Sequence, residues 1–221
     1  MSLNIVIIGT NKGIGLEFAR QYSTAGHRVF AICRQASDAL KGLSCTVIEG
    51  IDVTDDKSVQ GLAKALPIDH VDILIHNAGV LVSDTFPHLN MESMKKHFDI
   101  NALGALRTVM ALVPKLGSGS KVGIVSSRVG SIDDNTSANN YAYRVSKTAV
   151  NMIGKCLSID LANDGIAVAL LHPGYVRTQM TNGNGLIDAS ESAQGLIKRM
   201  DELSIETSGI FVHTSGELLP W

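Results

Sequence analysis

Short apolar runs alternate along the chain with longer segments whose apolar residues recur at helical spacing. The runs are nearly continuous in valine, isoleucine and leucine, the composition of strands that are covered on both faces. They predict strands at 3–8, 28–33, 45–49, 72–75, 121–126, 166–171 and 209–213. Because strands and helices alternate, we predict an α/β fold built from βαβ units, with a parallel sheet between two helical layers.

The pattern predicts no domain boundary within the chain. It contains no internal repeat and no linker, and its turn-rich tracts are confined to 117–120 and 181–185. A chain of 221 residues with 45% hydrophobic content can bury a sizeable core, and α/β chains of this length are commonly one domain. We therefore predict a single domain over residues 1–221.

Charge and cysteine content exclude several classes of protein. The formal net charge of −2 gives no broad basic field for nucleic acid. No apolar run is long enough to span a bilayer or to act as a secretory signal, so we expect a soluble, cytoplasmic protein without membrane partners. Cys33, Cys45 and Cys156 are odd in number and lack metal-ligand spacing, which predicts free thiols in a reducing compartment and no metal site.

The first predicted strand leads directly into a glycine-rich turn that opens a helix, Gly9-Thr10-Asn11-Lys12-Gly13-Ile14-Gly15. Glycines permit a tight turn and close approach of a phosphate, and the unpaired N–H groups at a helix start attract its charge. The spacing G-x-x-x-G-x-G differs from the familiar G-x-G-x-x-G fingerprint. The turn therefore indicates a phosphate site, with a ligand-free structural turn as the alternative.

Residues 141–147, YAYRVSK, start a long predicted helix that runs to about Asn163, where Asp164-Gly165 offers a stop. Side chains four apart share one helix face, so Tyr143 and Lys147 can meet, whereas Tyr141 cannot join them. By itself such a pair is far more often a solvent-facing contact that contributes a few tenths of a kcal/mol. The context of the pair has to decide between chemistry and packing.

Several motifs in one fixed order together resemble the short-chain dehydrogenases/reductases. They are the glycine turn at 9–15, Asn77-Ala78-Gly79, Asn101, Ser127, Tyr143 to Lys147, and Pro173-Gly174. The resemblance covers essentially the whole chain. It implies a Rossmann-type, doubly wound parallel sheet of about seven strands in the order 3-2-1-4-5-6-7, with a substrate-loop region at about 179–200. SSRVGSIDDNTSANNYAYRVSK and the ending GELLPW are most similar to the C-factor and sniffer-type carbonyl reductase branch.

The resemblance implies a catalytic set of Asn101, Ser127, Tyr143 and Lys147. The tyrosine would exchange a proton with the substrate oxygen, and the lysine would lower its pKa from near 10 and bind the nicotinamide ribose. The serine would hydrogen-bond the substrate oxygen, a role for which Ser126 competes. Asn101 would kink its helix and hold a water that relays protons to the lysine.

The end of the second predicted strand bears on the choice of cofactor. NAD-dependent members of the family usually carry an acidic residue there, whereas this chain has Cys33 followed by Arg34, and Lys12 in the glycine turn. No carboxylate is expected to repel a 2′-phosphate, and two cations are available to bind it. The resemblance therefore implies NADP(H), with cations that serve only solubility as the alternative.

The family pattern also assigns the remaining cofactor contacts. They are Gly9, Asn11, Lys12, Gly13, Ile14, Gly15, Arg34, Asp52, Val53, Asn77, Ala78, Gly79, Tyr143, Lys147, Pro173, Val176 and Thr178. His172 and His76 are expected to be structural. The chain departs from the family pattern at Ile8, where threonine is usual, and at His76, where asparagine is usual, which affects local support of the sheet.

The resemblance implies an oxidoreductase that transfers a hydride between the nicotinamide and a small carbonyl or alcohol substrate. The segment after Pro173-Gly174 is short and carries Met180, Leu186 and Ile187, which suggests a mobile lid over a small or flat compound. The family forms homodimers or homotetramers through helices near 91–113 and 141–163, and the tail with Leu218, Leu219 and Trp221 either contributes or folds back on its own core. The alternative function is an NADP-binding regulatory or signalling protein with little turnover.

Overall fold

The computed structural model describes residues 2–221. Seven strands form one parallel sheet: β1 (Asn4–Ile8), β2 (Arg28–Ile32), β3 (Thr46–Ile48), β4 (Ile73–His76), β5 (Lys121–Val125), β6 (Ala167–His172) and, after two short strands outside this sheet, β9 (Ile210–His213). Their order across the sheet is β3-β2-β1-β4-β5-β6-β9. The predicted parallel sheet, its strand positions and its order are therefore confirmed, since β9 is the seventh predicted strand.

Helices cover the sheet on both faces. They are α1 (Gly13–Thr24), α2 (Asp38–Lys41), α3 (Asp56–Gln60), α4 (Leu62–Ala65), α5 (Met91–Phe98), α6 (Gly104–Leu112), α7 (Tyr141–Asp160) and α8 (Ala189–Glu202). Alternate residues of β1 enter different cores: Val6 and Ile8 pack on one side, and Ile5 and Ile7 on the other. This two-sided burial explains why the strands read as continuous apolar runs.

The strand β1 pairs with β2 on one side and with β4 on the other. The chain leaves β1 toward β2 and leaves β4 toward β5, in opposite directions across the sheet, and such a reversal opens a crevice beyond the carboxyl ends of the strands. The seam between β1 and β4, where Ile5 lies opposite Ile73, therefore positions the site that is described below.

The region between β6 and β9 differs from its prediction. Residues 179–200 were expected to form a substrate loop, but α8 occupies the second half, with Ala193, Leu196 and Met200 fully buried at helical spacing. The short strands β7 (Val176–Arg177) and β8 (Ile187–Asp188) pair with each other ahead of it. The loop that remains is therefore compact and anchored at both ends.

The end of the long helix agrees with its sequence signal. Helix α7 gives way to a short 3₁₀ turn at Ala162–Asp164, and Gly165 follows with φ of 69°, a left-handed conformation that glycine adopts readily. None of the helices within residues 2–221 combines the length and the apolar character needed to cross a bilayer.

Candidate active site

The glycine turn between β1 and α1 is packed too closely for side chains. Gly9 has φ of 87°, and a Cβ there would lie 2.7 Å from the backbone nitrogen of Ala78. The Asn77 side chain donates a hydrogen bond of 2.8 Å from Nδ2 to the carbonyl of Gly9. A Cβ on Gly15 would collide with that same carbonyl and with Asn77 Nδ2. The turn is therefore held against the end of β4.

A cleft of about 590 Å³ opens above this turn. It is lined by most of the predicted cofactor contacts: Gly9, Asn11, Lys12, Gly13, Ile14, Arg34, Asp52, Val53, Asn77, Ala78, Gly79 and Thr178. Five predicted contacts lie outside this lining: Gly15, Tyr143, Lys147, Pro173 and Val176. Sequence reasoning missed the other lining residues, Ile8, Ile32, Cys33, Gln35, Ile51, Val80, Ile100, Gln179 and Met180, most of which are apolar and carry no chemical signal.

The cleft fits a group that carries phosphates. Asn11 Oδ1 is buried without a hydrogen-bond partner within residues 2–221, and Asn11 lines the cleft. Helix α1 begins there without a side-chain cap and without an acidic residue in its first turn. Its first N–H groups and its positive dipole end are therefore available to an anion.

The two predicted phosphate-binding cations occupy different places. Arg34 lies at the end of β2, with Nη1 3.9 Å from Oδ2 of Asp52. A carboxylate therefore stands beside Arg34, and its Oδ1 is engaged by Thr54 through hydrogen bonds of 2.9 and 2.8 Å. Hydrogen bonding by the Thr54 backbone is the main cause that lowers the pKa of Asp52. Lys12 instead reaches Gln179, with 2.5 Å between Nζ and Oε1.

Tyr143 and Lys147 meet as the helical spacing predicts. The Lys147 Nζ lies 5.6 Å from the centre of the Tyr143 ring. This ammonium donates a hydrogen bond of 2.8 Å to the carbonyl of Val125, the last residue of β5. Lys147 is only 4% exposed and Tyr143 is half-buried, so the pair is not a contact on a solvent-facing helix surface.

Burial controls the pKa of both groups. It raises the pKa of Tyr143 to about 12, while a hydrogen bond with the Ser127 side chain acts in the opposite direction. It lowers the pKa of Lys147 to about 8. The expectation that the lysine brings the tyrosine pKa below 10 is therefore not met by the protein alone, and Tyr143 holds its proton at neutral pH.

The two adjacent serines after β5 point to different surroundings. Ser126 is buried and donates a hydrogen bond of 2.5 Å from Oγ to Oδ1 of Asn151 in the interior. Ser127 interacts with Tyr143 and also accepts a bond from Val129 N at 3.4 Å. The structure thus brings Ser127, and not Ser126, to the tyrosine, as alternation along an extended segment requires.

Asn101 lies where the helix between α5 and α6 widens into a π-helix, Asp99–Leu103. Its Oδ1 accepts a hydrogen bond of 2.8 Å from Val80 N, and its Nδ2 donates to Val80 O at 2.9 Å. The same amide donates to Ser146 Oγ at 2.9 Å. Local π-helical turns occur frequently at functional sites, and this one aims Asn101 between the end of β4 and helix α7.

Comparison with known proteins identifies the fold family. The family model described as short chain dehydrogenase matches residues 3–186. The chain belongs to the short-chain dehydrogenase family. This family comprises oxidoreductases, and the glycine turn, Ser127, Tyr143 and Lys147 all fall within the matched range.

Two curated relatives support this membership. The chain is 42% identical, over 98% of its length and 99% of the relative, to 1-hydroxy-2-glutathionyl-2-methyl-3-butene dehydrogenase of Rhodococcus sp. (strain AD45). It is 40% identical, over 68% of its length and 93% of the relative, to C-signal of Myxococcus xanthus.

Solved structures of family members superpose along the whole chain. Carbonyl reductase Sniffer of D. melanogaster gives a TM-score of 0.91 at 26% identity, with 100% of both chains covered. The NADPH-bound carbonyl reductase from chicken fatty liver gives 0.89 at 26% identity, covering 100% of this chain and 99% of that one. The predicted likeness to the C-factor and sniffer branch of the short-chain dehydrogenases is confirmed.

Both departures from the short-chain dehydrogenase pattern lie side by side in the sheet. His76 in β4 is opposite Ile8 in β1, and neither of its ring nitrogens has a hydrogen-bond partner within residues 2–221. Burial lowers the pKa of His76 to about 3. Burial likewise lowers the pKa of His172 to about 3, so both rings are neutral at physiological pH.

The loops beyond the carboxyl ends of β4, β5 and β6 form an apolar rim. Large exposed apolar side chains lie on the loops that follow β4, β5 and β6: Val82, Phe86, Ile132, Tyr175, Met180 and Leu186. The arginines on these loops have partners within the protein. Arg128 Nη2 lies 2.6 Å from Oε1 of Glu217, and Arg177 Nε lies 2.7 Å from Oδ1 of Asp188.

Proposed function

We propose that this short-chain dehydrogenase is an NADPH-dependent carbonyl reductase. The observation that carries the proposal is the convergence of Tyr143, Ser127 and Lys147 beside a cleft that fits a phosphate-bearing dinucleotide. A bound NADPH would supply the hydride. The residues of this chain supply the proton, the orientation of the substrate oxygen and the local charge.

Three side chains act on the substrate oxygen or on its proton donor. The Ser127 hydroxyl donates a hydrogen bond to that oxygen and stabilises its developing negative charge. Tyr143, whose raised pKa of about 12 keeps it protonated, gives its proton to the same oxygen, so the products are an alcohol and a tyrosinate. The ammonium of Lys147 stabilises the tyrosinate, and the proton is then replaced from solvent.

The pKa of Lys147 predicts an alkaline limit to this reaction. Burial places that pKa at about 8, whereas Tyr143 remains protonated far above it. We expect kcat/KM for reduction to be level below pH 8 and to fall toward tenfold per pH unit above it, because the lysine loses its charge. A pH profile that stays flat to pH 10 contradicts this role, and Lys147→Met should lack the alkaline limb.

Arg34 is the side chain that we propose to recognise the 2′-phosphate. Charge-assisted contacts of this kind contribute about 1.5 to 3 kcal/mol. Arg34→Glu is therefore expected to weaken NADPH binding by roughly 10- to 100-fold and to leave NADH binding within about threefold. Fluorescence titration of both cofactors measures the change. Arg20→Glu, a charge reversal at an exposed position of helix α1, is the matched control, and an unchanged NADPH preference in Arg34→Glu would rule out the assignment.

The rim supports a small, apolar carbonyl or alcohol substrate. Its exposed side chains include Val82, Tyr175 and Leu186, and its arginines already have internal partners. An acidic conjugate such as the glutathionyl compound in the name of the Rhodococcus relative would need basic side chains that are not already held in ion pairs with the protein's own carboxylates. We therefore place simple aldehydes, ketones and quinones ahead of charged conjugates.

The test of the proposed function is oxidation of NADPH and NADH by the purified protein. The panel includes aldehydes, ketones, diketones, quinones and one glutathionyl alcohol assayed in the oxidative direction. Turnover of a neutral carbonyl with a preference for NADPH supports the proposal. If only the glutathionyl alcohol is turned over, the proposed substrate class is wrong, whereas the proposed hydride and proton transfer stands.

The likeness to C-signal favours a second candidate, an NADP-binding signalling protein with little turnover. Tight NADPH binding without turnover of any panel member would favour that candidate. A cellular phenotype of gene deletion that Tyr143→Phe fully rescues would also favour it, because the variant retains the fold but lacks the proton donor.

Two further properties are part of the proposal. Exposed apolar residues on α6 and α7, namely Met110, Met152 and Ile159, support a homodimer or homotetramer built on these helices, which light scattering after size exclusion would measure. The three free cysteines support a reducing, cytoplasmic location, which cell fractionation would test.

A further inference from the structure

Helix α7 cannot cap its own start. Asn139 and Asn140 precede it with φ of 73° and 53°, the left-handed conformation that is sterically disfavoured for residues other than glycine and is best tolerated by asparagine. Asn140 stands at the N-cap position, yet its side chain makes no capping hydrogen bond. The first N–H groups of the helix that carries Tyr143 therefore need acceptors from elsewhere.

Asp84, on the loop after β4, supplies those acceptors. Its Oδ1 accepts a hydrogen bond of 2.6 Å from Tyr141 N, and its Oδ2 accepts one of 3.0 Å from Ala142 N. Its backbone carbonyl accepts a third bond, of 2.9 Å, from Asn140 N. A carboxylate at this end of a helix also interacts favourably with the helix dipole. Asp84 thus fixes both the path and the first turn of α7.

The segment that carries Asp84 is itself fixed at two points. Asn101 bonds both the N–H and the carbonyl of Val80, at 2.8 and 2.9 Å. Further along, His97 Nε2 accepts a bond of 2.9 Å from Val82 N. His97 Nδ1 lies 2.7 Å from the carbonyl of Ser93, which sets the ring so that Nε2 faces Val82. Hydrogen bonds therefore tie the segment 80–84 to α5 and the π-helix on one side and to the start of α7 on the other.

We propose that Asp84 is a positioning residue for Tyr143, an inference that rests on the proposed reductase function. The amide groups that Asp84 holds belong to the same helical turn as Tyr143, and the tyrosine hydroxyl has to meet both Ser127 and the substrate oxygen. Fraying of this turn would displace the hydroxyl, and a displacement of about 1 Å at a reacting group can lower a rate by roughly 100-fold. Asp84 touches neither reacting atom and acts through the backbone of α7.

The test compares two Asp84 variants with the loss of a different helix cap. Asp84→Asn keeps one acceptor oxygen and Asp84→Ala keeps none. Asp55→Ala is the matched control, because Asp55 caps α3 through a bond of 2.9 Å from Lys57 N to Oδ1. We expect kcat to fall about tenfold in Asp84→Asn and further in Asp84→Ala, with NADPH affinity within about twofold of wild type. Asp55→Ala is expected to lower the melting temperature and to leave kcat within about twofold.

A second readout does not depend on turnover. Hydrogen exchange of the amides in residues 141–147 is expected to be faster in Asp84→Asn than in wild type or Asp55→Ala. Unchanged exchange, or a kcat of Asp84→Asn within twofold of wild type, would overturn the proposal. A wild-type protein that turns over no substrate would reject the reductase function, while the exchange experiment would still decide whether Asp84 holds α7. If Asp84→Ala does not fold, Asp84→Asn decides alone.

Discussion

Replacing Tyr143 with phenylalanine is expected to lower kcat for carbonyl reduction by about 10²- to 10⁴-fold, the contribution of a well-placed general acid. The substitution removes only the hydroxyl. The ring stays available to the Lys147 ammonium, which lies 5.6 Å from its centre, so the local packing should be retained. Cofactor affinity, measured by fluorescence titration, should remain within about twofold of wild type.

The matched control for this change is Tyr141→Phe. Tyr141 starts the same helix and loses the same atom, but the helical spacing turns it away from Lys147. We expect this control to keep wild-type kcat. If Tyr143→Phe retained more than a tenth of wild-type activity, or if Tyr141→Phe lost as much, the assignment of the proton donor would be wrong.

Replacing Ser127 with alanine is expected to lower kcat by about 10²- to 10³-fold, equivalent to roughly 2.7 to 4 kcal/mol of transition-state stabilisation. The effect has two sources. The substrate oxygen loses a hydrogen-bond donor, and Tyr143 loses the hydrogen bond that opposes the effect of burial on its pKa. Steady-state kinetics with a saturating neutral carbonyl compound measure the loss.

Ser126→Ala separates chemistry from stability. Ser126 bonds Asn151 in the interior, so its loss should destabilise the protein by about 1 kcal/mol and leave kcat close to that of wild type. We therefore expect Ser126→Ala to lose mainly stability, measured by chemical denaturation, and Ser127→Ala to lose mainly kcat, measured by steady-state kinetics. Equal losses of kcat in Ser126→Ala and Ser127→Ala would remove the distinction that the structure draws between these serines.

The sheet was predictable because each of its strands corresponds to a short run of consecutive residues. Each strand lies between helical layers, so its sequence is a short apolar run, and alternate residues such as Val6 and Ile7 enter opposite cores. The contact between Tyr143 and Lys147 was equally accessible, since residues four apart on a helix are neighbours. The end of α7 followed from Gly165, whose φ of 69° is disfavoured for other residues.

Contacts between distant segments could not be read in this way. Asp84 and Tyr141 are separated by 57 positions, and no periodicity connects them. Lys12 was predicted to bind the 2′-phosphate together with Arg34, and its contact with Gln179 was not foreseen. Asp52 was expected at the adenine and proved also to face Arg34. The partners of a long polar side chain depend on which distant residues lie within its reach in the folded protein. A single sequence does not give the distances between such residues.

Helix α8 was missed for a different reason. Its apolar residues, including Ala193, Leu196 and Met200, are spaced for a helix, but the glycine-rich tract ahead of them and the resemblance both favoured a loop. Gly195 lies within the helix, where a Cβ would collide with Thr214. The glycine therefore permits close packing of α8 against Thr214, a contact that the sequence does not show.

The seam between β1 and β4 has a consequence for how the chain holds together. Ile5 and Ile73 are neighbours across it, so the sheet joins there only after a long loop has closed, which costs conformational entropy and slows folding. The cleft is lined from both sides of the seam, by Gly9 and by Asn77. A dinucleotide held at that place would bind the native state and not the unfolded chain, adding about 2.7 kcal/mol at a hundred times its dissociation constant. The abundance of this protein in the cell would then follow the supply of its own cofactor.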